Sequence, residues 1–186
     1  MDKMKDKIRK ALYQRRKKTV TDDRLRPSGV LAPLFSKDGE HHILFTKRTE
    51  KVEHHKGQIS FPGGAYDEED GTLMVTALRE SCEEIGLKSK DIEILGELDD
   101  IVTTTRFIIS PFVGFIPYPY DFSISRDEID ELIEVPINAL LDENICREEL
   151  VNQEGEFSPV YFYEYNGHVI WGATARILRQ LLDLVF

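Results

Sequence analysis

The sequence is poor in cysteine and tryptophan and lacks a long apolar run. Its 186 residues include two cysteines, Cys82 and Cys146, and one tryptophan, Trp171. Two cysteines are too few for a disulfide scaffold, and they lack the spacing of a metal-binding motif. No stretch approaches the roughly 18–20 consecutive apolar residues of a membrane helix, and no apolar segment follows the charged N-terminus as in a secretory signal. These absences favour a reducing, cytoplasmic location and no membrane partner.

Charge is distributed unevenly along the chain. The sequence has 24 Lys/Arg and 34 Asp/Glu, a net charge of −10. Residues 1–18 contain nine Lys/Arg and two Asp, so the remainder has 15 basic and 32 acidic residues. Such an acidic body is a poor partner for nucleic acid. We interpret residues 1–26 as a basic leader, helical to about Lys18, that packs on the acidic domain formed by residues 27–186. RNA or an anionic membrane remains an alternative partner for the leader.

Hydrophobic patterns predict an α/β fold with a mixed sheet. Residues 29–35 and 41–49 have the pattern of a strand hairpin, and a long loop rich in Gly, His and acidic residues follows. Residues 72–85 form an amphipathic pattern that ends at Gly86, where a helix C-cap is expected. Strands are predicted within 92–103 and 107–117, and a hairpin with an Asn-Gly turn within 159–172. Residues 127–141 combine a strand that ends at the Val135–Pro136 step with a short helix that follows it. A closing helix over 173–186 completes a sheet between helices.

The predicted helix over residues 72–85 carries three glutamates on one face. Glu80, Glu83 and Glu84 stand at i, i+3 and i+4, so their carboxylates are neighbours. Carboxylates crowded in this way suit a hard divalent cation that prefers oxygen ligands. Arg79 precedes Glu83 by four residues and can orient a carboxylate. The opposite face, which we expect to be buried, consists of Leu78, Cys82 and Ile85. Taken alone, glutamates at these spacings more often mark a solvated helix surface; the glycine turn upstream, the long acidic loop before the helix and Gly86 directly after it favour the metal site.

The segment RESCEEIGL, residues 79–87, resembles the second half of the Nudix hydrolase signature G-x5-E-x7-R-E-U-x-E-E-x-G-U, where U is aliphatic. Ser81 is polar at an aliphatic position. Fifteen positions separate Gly64 from Arg79, one more than in the signature, so its first acidic position falls on Asp70 or on Gly71. The resemblance implies a Nudix fold in residues 27–186, an α/β/α sandwich with a loop-helix-loop catalytic motif. Residues 169–178 resemble the closing strand-to-helix segment of the family, which implies that Trp171 and Ala175 pack against the sheet.

The same resemblance implies residue roles and a cofactor. The catalytic residues would be Glu80, Glu83, Glu84 and Arg79, and the metal ligands Glu80, Glu83, Glu84 and the backbone carbonyl of Gly63. The metal would be Mg²⁺ or Mn²⁺, bridging the carboxylates and a diphosphate and activating water. A further carboxylate is needed as general base, for which Glu128 is the first candidate and Glu131 the second.

The stretch before the helix resembles a motif found beside the Nudix signature in coenzyme A pyrophosphatases, L-L-T-x-R-S-x3-R-x3-G-x3-F-P-G-G. The positions that match in register are Leu44, Thr46, Arg48, Gly57, Phe61, Pro62, Gly63 and Gly64. Glu53 replaces the motif's second arginine, which reverses the charge there. Nearby candidates for a substitute positive charge are Lys51, His54, His55 and Lys56. The expected substrate-binding residues are Arg48, His55, Lys56, Gly57, Phe61 and Gly64.

Three functions remain open at this point. The first is hydrolysis of coenzyme A or acyl-coenzyme A to adenosine 3′,5′-bisphosphate plus (acyl-)4′-phosphopantetheine. The second is a Nudix hydrolase of ADP-ribose, a dinucleotide polyphosphate or a nucleoside triphosphate, which Glu53 keeps open. The third is a Nudix-fold sensor that binds a nucleotide without turnover, although the complete glutamate set argues against it. Each has a small nucleotide as partner, and the sequence leaves monomer and homodimer undecided.

Overall fold

A computed structural model of the chain describes residues 3–51, 55–153 and 156–186. Glu53 and His54 therefore lie outside the described residues. The helices in this part of the chain are α1 (Lys3–Tyr13), α2 (Leu73–Ile85), α3 (Ile137–Leu140) and α4 (Gly172–Val185). None of them is both long and apolar enough to cross a membrane.

The strands form one large mixed sheet and one small antiparallel sheet. Those of the large sheet are β1 (Arg26–Lys37), β2 (Glu40–Arg48), β3 (Ile59–Ser60), β4 (Gly63–Ala65), β5 (Glu93–Glu97), β6 (Ile101–Val102), β7 (Phe107–Phe115) and β8 (Ile129–Pro136). Its strand order is β3-β2-β1-β7-β5, with β4 on β1, β6 on β7 and β8 on β2. The small sheet has the order β11-β10-β9, where β9 is Cys146–Gln153, β10 is Glu156–Tyr165 and β11 is His168–Trp171. Strands β1 and β7 are parallel, which makes the large sheet mixed.

Helices cover both faces of the large sheet, as the sequence predicts. On one face, α2 contributes Ala77 and Ile85 to a core with Leu31 and Phe35 of β1. On the other face, α1 and α4 pack over the alternate residues of β1, among them Ala32. Odd-numbered and even-numbered residues of β1 therefore belong to different cores, because successive side chains of a strand point to opposite faces of the sheet. The predicted α/β sandwich is confirmed.

The basic leader helix is shorter than predicted and is joined to the acidic domain. It ends at Tyr13 and not near Lys18. Ile8 and Leu12 are buried on its inner face, and Lys5 forms a 2.9 Å salt bridge with Glu93 of β5. Arg9 also pairs with Glu93, and further ion pairs join Arg15 to Asp99 and Lys17 to Glu97 and Asp100. Opposite charges together with two buried apolar side chains hold this segment against the β5 edge.

Three further details differ from the sequence-based expectations. Cys82 is exposed and the polar Ser81 is buried, because the inward face of α2 is one residue out of phase with the predicted one. The buried Ser81 hydroxyl still has a hydrogen-bond partner, because it donates to the carbonyl of Ala77 at 2.6 Å. Trp171 is 45% exposed and does not pack into the sheet, whereas Ala175 is buried as expected. Strand β9 was not predicted.

Candidate active site

Helix α2 is fixed at both ends by residues that its sequence provides. The Thr72 hydroxyl caps the N-terminus by accepting from the backbone N–H of Val75 at 3.3 Å. Gly86 ends the helix with φ 70°, a left-handed conformation that glycine adopts without steric cost. The glutamates of the last two turns therefore stand at a rigid helix end, close to strand β4.

Glu84 is a carboxylate buried inside the protein. It is 2% exposed, and its Oε2 accepts from the backbone N–H of Gly63 at 3.2 Å. Its Oε1 lies 3.5 Å from Nη1 of Arg48, at the end of β2. Burial raises the pKa of Glu84 to about 8, in spite of Arg48 and the Gly63 N–H, and the charges of Glu80 and Glu128 raise it further. A group so desolvated needs a cation in order to ionise readily at neutral pH.

Glu80 lies against the backbone of the Gly63–Gly64 turn. A Cβ atom added at Gly64 would overlap the Glu80 carboxyl group. Gly63 has φ 153° and packs directly on Gly29 and Val30 of β1, which leaves no room for a side chain there either. Gly63 is thus required because the backbone of β4 lies directly on β1, whereas a side chain at Gly64 would force the Glu80 carboxyl group to move. Burial also raises the pKa of Glu80, against the effect of Arg79.

Arg79 connects the helix carboxylates to the preceding loop. Its Nε and Nη2 donate to the two oxygens of Asp70 at 2.8 and 3.0 Å, and its Nη1 donates to Glu80 at 2.8 Å and Glu83 at 3.1 Å. This forked contact holds the pKa of the Asp70 carboxyl well below its usual range, with help from the Thr76 hydroxyl. Asp70, one of the two positions at which the sequence places the first acidic residue of the signature, therefore acts as the anchor of Arg79.

The loop before β4 brings part of the predicted substrate-binding set to this place. Arg48 adjoins Glu84, and Gly57 has φ 64° in a turn against Glu50. His55 is exposed, and its Nδ1 lies 2.8 Å from Oε1 of Gln58; Lys56 is exposed as well. Phe61 is 4% exposed and stacks on Phe45 with 4.8 Å between ring centroids. Its ring supports the loop from the core and offers no accessible face to a ligand in this conformation.

The two candidate bases occupy different surroundings. Glu128 is exposed on the turn that precedes β8, and the backbone N–H of Ser125 in the same segment donates to the carbonyl of Glu84 at 2.8 Å. The charge of Glu128 also raises the pKa of Glu80 and of Glu84. Glu131 lies on β8, where its carboxylate is 3.7 Å from His168 and 3.9 Å from Lys47. Glu128 is therefore carried by the segment that adjoins the end of α2, whereas Glu131 lies beside Lys47 and His168.

The residues present suit a divalent cation in chemistry, though not in their present rotamers. Among residues 3–51, 55–153 and 156–186, no three His, Cys, Asp or Glu side chains converge closely enough to hold a metal ion. Arg79 binds Glu80 and Glu83, and Glu84 is tied to Gly63. Nevertheless, oxygen donors at one helix end, two of them desolvated and repelling each other, form the donor set that Mg²⁺ or Mn²⁺ prefers. Modest rotations of Glu80 and Glu83 would be needed.

A mixed sheet between helices, with a glycine turn over a helix that carries several carboxylates, is the arrangement expected of a Nudix-type, metal-dependent hydrolase. Comparison with known proteins identifies the family: residues 25–159 match the NUDIX domain, and the chain belongs to the Nudix hydrolases. The Nudix hydrolase NudL of Photorhabdus laumondii is 33% identical over 163 residues, which cover 88% of this chain and 87% of that protein. NudL of an Enterobacter species is 33% identical over 156 residues, covering 84% and 81%.

Solved structures agree on the fold. The crystal structure of a NUDIX hydrolase from Alicyclobacillus acidocaldarius superposes with a TM-score of 0.59 at 19% identity, covering 88% of this chain and 93% of that one. At this identity the likeness concerns the fold alone. The expected Nudix fold is thereby confirmed, and the protein is a Nudix pyrophosphohydrolase of a nucleotide-linked substrate. Divalent ions such as Mg²⁺ or Mn²⁺ are the general cofactors of this family.

Proposed function

We propose that the protein hydrolyses the diphosphate linkage of coenzyme A or acyl-coenzyme A, giving adenosine 3′,5′-bisphosphate and (acyl-)4′-phosphopantetheine. The observation that carries the proposal is that the segment resembling coenzyme A pyrophosphatases and the catalytic helix meet at one place. Arg48 contacts Glu84, the Gly63 N–H donates to Glu84, and Gly64 adjoins Glu80. The second motif thus belongs to the same site as the helix carboxylates, so it can select the substrate that they act upon.

Arg48 is well placed to receive a phosphate. Its side chain is 25% exposed at the end of β2, so a ligand can reach the guanidinium. A phosphate oxygen bound there would accept a charge-assisted hydrogen bond. Positive charge is also needed here because a diphosphate would be repelled by carboxylates alone. We assign Arg48 to the binding of one phosphate of the substrate.

The helix glutamates and the Gly63 carbonyl are the proposed metal ligands. Mg²⁺ or Mn²⁺ bound there would polarise a phosphorus–oxygen bond and lower the pKa of a water molecule. In the hydrolysis, the water oxygen forms a bond to one phosphorus and the bond from that phosphorus to the bridging oxygen breaks. We assign Glu128 to accept the proton of the attacking water, since it is an exposed carboxylate on the turn that is hydrogen-bonded to the end of α2 through Ser125.

A product analysis tests the proposal. The purified protein is incubated with Mg²⁺ or Mn²⁺ and, separately, with coenzyme A, ADP-ribose, diadenosine polyphosphates and nucleoside triphosphates, and the products are separated by chromatography. Adenosine 3′,5′-bisphosphate formed mainly from coenzyme A supports the proposal. Faster turnover of another substrate rejects the coenzyme A assignment and retains the Nudix chemistry. Nucleotide binding without turnover of any substrate would instead identify a sensor.

A charge-restoring variant examines the departure of Glu53 from the motif. Glu53→Arg introduces the arginine that coenzyme A pyrophosphatases have at this position, so we expect a higher kcat/KM for coenzyme A and little change for ADP-ribose. Glu40→Arg, the same charge change at the far end of β2, is the matched control. If the two variants change kcat/KM equally, or if Glu53→Arg changes it equally for both substrates, then position 53 does not contact the coenzyme A phosphates.

A further inference from the structure

The turn that carries Glu128 is fixed to the catalytic helix on one side. The backbone N–H of Ser125 donates to the carbonyl of Glu84 at 2.8 Å, and the N–H of Ser123 donates to the carbonyl of Ile85 at 3.1 Å. The turn then closes on itself, because Glu128 and Ile129 both donate to the Ser125 carbonyl, at 3.0 and 2.8 Å. The carbonyls of Glu84 and Ile85 at the C-terminus of α2 are therefore satisfied by the segment that leads to Glu128.

On its other side, the same turn is fixed by Thr49. The Thr49 backbone N–H donates to the carbonyl of Glu128 at 2.8 Å, and the Thr49 hydroxyl donates to the carbonyl of Asp127 at 2.9 Å. Thr49 is 8% exposed, so these contacts are shielded from competing water. Thr49 directly follows Arg48, whose guanidinium contacts Glu84. One short segment thus touches both the buried helix carboxylate and the turn beside it.

These hydrogen bonds of Ser125 and Thr49 restrain a turn that is acidic and exposed. Asp127 and Glu128 are solvent-exposed, and the charge of Glu128 acts on Glu80 and Glu84 of like sign. Repulsion would drive an unrestrained turn away from the helix, and chain entropy favours the same movement. Backbone hydrogen bonds from Ser125 survive any side-chain substitution. On the Thr49 side, two side chains contact the turn: the shielded Thr49 hydroxyl, and Lys51, whose Nζ lies 3.9 Å from Oδ1 of Asp127 in an exposed ion pair that contributes little.

We propose that Thr49 is a positioning residue of the hydrolase, whose hydroxyl holds the Asp127–Glu128 turn so that the Glu128 carboxylate stays beside the helix glutamates. This inference rests on the proposed function, in which Glu128 accepts the proton of the attacking water. It gives a reason for the hydroxyl residue that follows Arg48: serine and threonine both supply the hydroxyl that contacts the Asp127 carbonyl. Thr49 itself does not touch the substrate.

Three variants separate the hydroxyl from the rest of the side chain. Thr49→Val keeps the shape and removes the donor, and we expect kcat to fall about tenfold while KM changes by less than about twofold. Thr49→Ser keeps the hydroxyl and should restore kcat to within about twofold. Thr174→Val is the matched control, since Thr174 is 9% exposed and its hydroxyl donates to the Ile59 carbonyl at 3.2 Å. The control should lose some thermal stability and retain kcat.

A double-mutant cycle distinguishes positioning from a general loss of structure. If Thr49 acts through Glu128, Thr49→Val should lower kcat by less than about twofold in a Glu128→Gln background. A second tenfold loss in that background would make the role merely structural and overturn the inference. If kcat is normal in Thr49→Val but reduced in Glu128→Gln, the role of Thr49 is refuted while the assignment of Glu128 as the base stands. A normal kcat of Glu128→Gln refutes the assigned base, and the inference with it. Should Thr49→Val not fold, Thr49→Ala serves in the same cycle.

Discussion

The contact between Asp70 and Arg79 offers a sharp test, because one substitution removes its charge and hardly alters its shape. Asp70→Asn keeps the size of the side chain but leaves an amide where Arg79 now finds two carboxylate oxygens at 2.8 and 3.0 Å. The amide N–H₂ would face a guanidinium that can only donate. Arg79 would lose its fixed direction, and its contacts with Glu80 and Glu83 would loosen with it.

The expected loss of stability follows from the burial of the two partners. An exposed ion pair contributes about 0–1 kcal/mol, whereas removing one partner of a buried pair costs about 3–5 kcal/mol. The Asp70 side chain is 4% exposed and the Arg79 side chain 31%, so the pair lies between these limits. We expect the free energy of unfolding to fall by about 2 kcal/mol, which lowers Tm by roughly 4–8 °C in a chain of this length. We also expect kcat to fall about tenfold as Glu80 and Glu83 lose their common orientation.

The effect should depend on pH in a defined direction. The pKa of Asp70 is lowered in the folded protein, mainly by Arg79. A carboxyl whose folded pKa is depressed stabilises the protein fully above its unfolded pKa of about 3.9, and this stabilisation is lost as the pH falls through the lower folded value. The difference in unfolding free energy between the wild type and Asp70→Asn should therefore be constant above about pH 5 and shrink below pH 4.

Chemical denaturation at several pH values measures this difference, and steady-state kinetics measures kcat. Asp67→Asn is the control in the same loop, because Asp67 is exposed and caps the turn at residues 68–70, a role that asparagine fills equally well. If Asp70→Asn destabilises the protein no more than Asp67→Asn, the forked ion pair does not stabilise the loop. An unchanged kcat would show that Arg79 orients the glutamates without Asp70.

Three further outcomes are expected. Glu84→Gln removes a proposed metal ligand, so Mg²⁺ should no longer raise Tm and turnover should be nearly abolished; an unchanged response to Mg²⁺ would exclude Glu84 as a ligand. Leu12→Ala should lower the free energy of unfolding, measured with denaturant, by about 2–4 kcal/mol. Tyr13→Ala is the control, because Tyr13 is 92% exposed, and should lower it by less than about 0.5 kcal/mol. Similar losses in the two variants would mean that the leader does not pack against the domain in solution. Gly64→Ala should displace the Glu80 carboxyl group, which a Cβ atom at this position would overlap, and lower kcat at least tenfold in steady-state kinetics. A normal kcat would show that the position of the Glu80 carboxyl group does not depend on Gly64.

Elements with local determinants could be predicted from the sequence. Helix α2 has its N-cap at Thr72 and its C-cap at Gly86, and both lie within one residue of the predicted ends. The turn at Asn166–Gly167 joins β10 and β11 as predicted, since asparagine and glycine favour the left-handed conformations observed there, with φ 48° and 80°. In each case the deciding residues are adjacent in sequence, so a pattern is sufficient.

Elements with distant determinants could not be predicted in this way. Strand β9 is rich in charge and lacks a clear alternation of polar and apolar residues, and its pairing with β10 defines it. The leader helix stops at Tyr13 although Lys17 and Lys18 continue the basic run, because Lys17 pairs with Glu97 and Asp100 while the Lys18 backbone donates to Asp99. These contacts join positions about 80 residues apart, which no local pattern encodes.

The three signature glutamates show the same limit inside the site. The sequence presents them as equivalent members of one helix face, but the fold gives each a different environment. Glu84 is buried against a backbone N–H and Arg48, Glu80 lies against Gly64, and Glu83 remains largely exposed. Those differences arise from strands β2 and β4, which precede the helix in the chain. The sequence therefore identifies which carboxylates bind metal in the proposed mechanism, whereas the fold determines how strongly each one needs the metal ion, since that need increases with desolvation.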